Sequence, residues 1–89
     1  MSQISNDAAS VRRFAHSLRE NEREVRAARM ALANSFAEVS RAWNDERSRE
    51  ARTRIESAER EMLDFERCAA AMAEYLDQLA AKIDRYLRH

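Results

Sequence analysis

Four groups of side chains in this 89-residue chain have types that could do chemistry. His16 and Glu20 stand four residues apart, a spacing that puts two ligands on one helix face. A metal centre needs more ligands than that, and no Glu-x-x-His pattern accompanies them. They read as a solvated surface pair. Cys68 is the only cysteine, so there is no internal disulfide framework. No histidine lies near it in sequence to activate a thiolate. It reads as a small, buried or half-buried apolar residue beside a helix seam. Glu59, Glu61, Asp64 and Glu66 lie close together and could serve acid–base work. On a helix they scatter around the circumference, so they read as a solvated face. Arg47, Arg49, Arg52 and Arg54 form the densest basic stretch and could touch phosphate. Asp45, Glu46, Glu50 and Glu56 interleave with them, and no aromatics accompany them. The expectation is therefore no catalytic residue, no metal, no cofactor and no nucleic-acid partner: not an enzyme.

The elements that carry these residues follow from composition. Gly 0 and Pro 0 argue against a fold built on tight turns. Lys+Arg 16 balances Asp+Glu 16, which disfavours a partner held by bulk charge. Apolar content of 45% beside 36% charged residues suits long, solvated helices in a single domain over 1–89. Lys82 is the lone lysine among the basic residues, an arginine bias that fits a GC-rich bacterial genome. Arg12 and Arg13 interrupt the N-terminal stretch, so no leader peptide is expected. No apolar run approaches the ~20 residues of a membrane span, so no membrane insertion is expected. The expected location is the cytoplasm, with any export by a route that needs no cleaved leader.

Ile4, Val11, Leu18, Val25, Leu32 and Val39 recur at seven-residue intervals. A second stripe runs beside them through Phe14, Ala28, Phe36 and Trp43. This is an amphipathic helix over about 5–42, with Ser5 able to cap its first turn. In the second half Ile55, Met62, Ala69, Leu76 and Ile83 hold one heptad position. Ala58, Phe65, Met72, Leu79 and Tyr86 hold the position three residues on. These are the a and d sites of a coiled-coil-like seam on a second helix, about 46–88. Glu50–Arg54, Glu56–Arg60 and Asp84–Arg88 support it at i,i+4 spacing.

The two seams do not share a frame. Val39 to Ile55 is two heptads plus two residues, and the extra two turn the stripe about 200° in an unbroken helix. Asn44-Asp45 is the best breaker pair in that gap. Asn tolerates the left-handed conformation that ends a helix, and Asp is a good N-cap for the next. A turn at about 43–46 therefore joins two antiparallel helices. The competing arrangement is one helix of about 85 residues that dimerises through a stutter.

A Trp closing one long helix, a turn, and a second helix of equal length resembles the WXG family, helical-hairpin proteins of type VII secretion systems. Trp43-Asn44-Asp45 carries the likeness, with Phe36 one heptad earlier. The family pattern is Trp-x-Gly, and Asp45 stands where the glycine would be. The family's export signal, Tyr-x-x-x-Asp/Glu, has no counterpart at Tyr75, which is followed four residues later by Leu79. The resemblance implies a dimeric four-helix bundle. It implies a partner or adaptor of an exported protein, or a small substrate of a type VII-like pathway. Trp43, Asn44 and Asp45 would form its recognisable tip.

The fold expected is an all-α antiparallel two-helix hairpin that dimerises into a four-helix bundle. Its core and interface residues are Val11, Phe14, Leu18, Val25, Leu32, Phe36, Val39, Ile55, Met62, Phe65, Ala69, Met72, Leu76, Leu79 and Ile83. The partner is a second copy or a similar helical hairpin, such as the N-terminal region of a larger effector. Changing Leu76 and Leu79 to Asp should abolish the assembly. A structural coiled-coil scaffold subunit with no export role is the alternative function.

Overall fold

The fold comes from a computed structural model, which describes the backbone of residues 2–88 and the side-chain environments of residues 7–87. Two helices account for nearly all of it: α1, Ser2–Ala42, and α2, Glu46–Arg88. They fold back on each other along their length and form a rod of 67 × 14 × 14 Å. The chain is thus an all-helical hairpin rather than one uninterrupted helix. The absence of Gly and Pro removes every strong interior breaker, so each helix runs until a polar connector stops it. The start of α1 differs from the sequence expectation: it runs through Ser5 from Ser2, so Ser5 is not its boundary.

The connector is Trp43, Asn44 and Asp45. The Trp43 N–H donates to the Val39 carbonyl at 3.0 Å, completing the last turn of α1. Among the described residues no non-glycine residue has a positive φ, so Asn44 does not take the left-handed conformation expected of it. The reversal is held by Asp45 instead. Its Oδ1 accepts from the Ser48 N–H at 2.9 Å, while its own N–H donates to Ser48 Oγ at 2.9 Å. Ser48 Oγ also donates to the Asp45 carbonyl at 2.7 Å. This is a reciprocal capping box with serine in the place usually held by Glu or Gln. It satisfies backbone donors that a helix start otherwise leaves orphaned.

The seam between the helices is narrow because alanine lines it. Ala8 and Ala15 of α1 and Ala69, Ala73 and Ala80 of α2 are buried, with Leu76 among them. Val11, Leu18 and Leu79 pack around the Ala15–Ala73–Leu76 cluster. Val25, Leu32, Phe36, Ile55, Met62 and Ile83 are half-buried along the rest of the seam. Among the described residues, no large side chain is fully buried.

The a column expected on α2 stays inward along the helix, half-buried at Ile55, Met62 and Ile83 and buried at Ala69 and Leu76, whereas the d column is half-buried only at Ala58 and Leu79. Beyond Met62 the column beside it moves one residue on from d, to Glu66, Ala73 and Ala80. Phe65, Met72 and Tyr86 are consequently exposed, not buried in the contact with α1. The cause is helix pitch. A straight helix drifts about 20° per heptad against a strict seven-residue repeat. Over four heptads the drift is about 80°, enough to carry a straight line of contact across the a column to its other side.

Candidate functional site

The drift leaves the two-helix layer with two unlike faces. Phe14 lies two residues past Arg12, about 200° around α1, and Asp77 lies five past Met72, about 140° around α2. Charged residues therefore gather on one broad face and large apolar ones on the other.

On the charged face, Arg12 pairs with Asp84, and Arg19 pairs with Asp77 at 2.5 Å. The hydrogen bond that Arg19 donates to Asp77 raises the Arg19 pKa. Midway along the rod the charge enters the seam. Glu66 is 5% exposed and receives a forked pair of bonds from Arg29, Nε to Oε2 at 2.6 Å and Nη2 to Oε1 at 3.0 Å. Arg26 Nε stands 3.6 Å from the same carboxylate and also binds Glu22. The Arg29 hydrogen bonds hold the Glu66 carboxyl below the usual carboxylate range. Burial opposes them, and the charges of Arg29 and Arg26 assist. Arg29 is raised in turn by its hydrogen bond to Glu66. A carboxylate kept ionised and doubly bound is a structural clamp, not a proton donor. Glu66 was expected on a solvated face. It is buried because the one-residue shift of the seam turns it inward, where two arginines meet it.

The other groups singled out as chemical lie apart. His16 Nε2 contacts Glu20 at 2.8 Å, and both are exposed. Arg54 binds Glu50 at 3.3 Å, and Arg52 sits over the Phe36 ring, 5.4 Å from its centroid. Among the described residues, no three His, Cys, Asp or Glu side chains are placed to hold a metal ion. None of the helix in the described residues is long and apolar enough to cross a membrane.

The apolar face is the feature with a geometry of its own. Phe14 and Leu18 of α1 and Phe65, Cys68, Ala69 and Met72 of α2 line one shallow groove. Phe14 is 56% exposed, Phe65 41% and Met72 49%. Cys68 is exposed within it, contrary to the buried or half-buried position expected. Helical spacing carries the stripe on through Tyr75, Leu79 and Tyr86, of which Tyr75 and Tyr86 are largely exposed.

The residues expected at a core or interface thus divide. Ala69 and Leu76 are buried in the seam. Val11, Leu18, Val25, Leu32, Phe36, Ile55, Met62, Leu79 and Ile83 are half-buried along it. Phe14, Phe65 and Met72 form the exposed face, while Val39 is exposed near the tip. Trp43, 37% exposed, stands at the tip with Asn44 and Asp45. The placement also changes the meaning of the Leu76/Leu79 double substitution. Leu76 belongs to the contact between α1 and α2, so Asp there unfolds the hairpin instead of separating two folded ones.

Sequence reasoning placed Ala69 in the seam but missed Ala8, Ala15, Ala73 and Ala80 as core residues, the Glu66 clamp and Ser48. The repeats Ala8–Ala15 and Ala73–Ala80, each at heptad spacing, carried the first signal. Ser48, three residues after Asp45, carried the last. Searched against protein families, characterised proteins and solved structures, the chain gives no match.

Proposed function

We propose that this chain is a non-enzymatic protein–protein interaction module, which covers its apolar face with another helical hairpin. The observation that carries the proposal is the continuous stripe Phe14, Phe65, Cys68 and Met72 on a rod with no fully buried large side chain among the described residues. A chain of 10.4 kDa exposes about 5,400 Å² when compact. This one exposes 6929 Å², about 1,500 Å² beyond that expectation. Stable interfaces cover about 800 Å² per partner, and obligate ones cover more. Large apolar patches on soluble proteins mark such contacts.

The test is recovery from the native host of the tagged wild type and of Phe65→Asp/Met72→Asp. The wild type retains a helical partner, and the double variant loses it while its circular dichroism stays helical. Equal recovery in both, or a wild type that elutes as a lone monomer, refutes the reading.

The finer reading is a WXG-like partner, adaptor or small substrate of a type VII-like secretion pathway. Its support is Trp43 at the tip, half exposed and flanked by the ends of both helices. Loss of the pathway's ATPase from the host should leave this protein, or its partner, inside the cell. An unchanged level of both in the medium would favour the scaffold-subunit alternative.

A further inference from the structure

Resting on the interaction-module reading, we propose a specific occupant for the apolar face. It is a second copy of this chain, laid end for end across the face with the two-fold axis at Met72.

The d column of α2 is a size-complementary palindrome about that residue, with Phe65, Met72 and Tyr86 exposed and Ala58 and Leu79 half-buried at the edge of the seam. Phe65 lies seven residues before Met72 and Leu79 seven after; Ala58 lies fourteen before and Tyr86 fourteen after. A two-fold axis at Met72 sets Phe65 against Leu79 of the other copy. It also sets the smallest member, Ala58, against the largest, Tyr86. A large side chain opposite a small one is what interdigitated packing needs.

The flanking column obeys the same axis. Glu61 lies eleven residues before Met72 and Lys82 ten after, so the two fall about 1.5 Å apart along the axis in opposite copies. Opposite charges then meet twice, at the two rims. Cys68, four before, and Tyr75, three after, come level in the same way. A C2 contact must be complementary to itself, and this column is so in size and in charge.

Phe14 and Leu18 flank Met72 in the groove, so both helices of each copy take part. From Met72 to the end of α2 at Arg88 is about 24 Å, so the copies overlap over about 48 Å of the 67 Å rod. The tips bearing Trp43 project clear at opposite ends. The charged faces turn outward, where Arg12–Asp84 and Arg19–Asp77 are already paired within each copy.

The test is disulfide trapping of the full chain at micromolar concentration, read beside its mass by light scattering. Met72→Cys in a Cys68→Ala background puts two thiols on the axis, and mild oxidation converts most chains to a linked dimer. Ala70→Cys in the same background, on the charged face, stays unlinked. Wild-type chains also stay unlinked. Their two Cys68 residues are offset by eight residues, about 12 Å, which exceeds disulfide reach. A wild-type dimer in which Met72→Cys fails to link, or Ala70→Cys links as well, overturns the proposed face and axis but leaves the interaction-module reading standing. A wild-type monomer that still binds a different hairpin overturns the second-copy assignment alone. A monomer that binds nothing overturns both.

Discussion

The alanine seam makes the sharpest demand on the fold. Ala73 has 0% exposure and packs with Ala15, also at 0%, and Leu76. Replacing Ala73 with Leu adds three carbons where two helices already touch. The seam must widen or the side chain must leave its rotamer, at a cost of about 1–3 kcal/mol. Helix propensity does not account for a loss of that size, because Leu ranks only a few tenths of a kcal/mol below Ala. For a domain of this length each kcal/mol lowers the thermal midpoint by about 4–8 °C. The assay is thermal unfolding followed by circular dichroism, at one fixed protein concentration because association adds its own stability. Ala70→Leu, exposed on the charged face, serves as the reference and should shift the midpoint little. If Ala73→Leu melts with or above the wild type while Ala70→Leu behaves alike, the helices do not approach closely at Ala73. The alanine account of the seam then falls.

Three further predictions concern the clamp, the cap and the apolar face. The Glu66 carboxyl is held low in the fold, so its contribution is complete above the ordinary carboxylate value of about 4.3. It is lost as pH falls through the lower folded-state value. Glu66→Gln should therefore lower the urea midpoint at neutral pH and show a smaller further fall between about pH 5 and pH 3 than the wild type. An equal fall in both proteins would locate the acid sensitivity elsewhere. Asp45→Ala removes one half of the capping box and should cost about 1 kcal/mol, with helix content at low temperature retained; no loss on urea titration would mean that Ser48 alone holds the turn. Phe65→Asp/Met72→Asp should leave intrachain stability nearly unchanged when measured at the lowest workable concentration. A collapse of helicity there would place both side chains in the seam.

Much of this protein was legible without coordinates. The absence of Gly and Pro, the heptad stripes and the frame break between Val39 and Ile55 were enough to give two long helices folded at Asn44-Asp45. These are local properties: propensity and periodicity act within a few turns, and a capping residue acts within three positions. Which residues of each stripe face inward was a tertiary decision. A strict seven-residue repeat names a column, but the columns stay opposite only if the helices supercoil. Here the burial pattern follows the drift of an unsupercoiled pair: the contact slides from Ala58 past Met62 to Glu66, Ala73 and Ala80. That slide closes the alanine seam, turns Glu66 inward to meet Arg29 and Arg26, and turns Phe65 and Met72 outward to form the open apolar face. Small side chains won the seam because they let two backbones come close, and the large ones were left facing solvent.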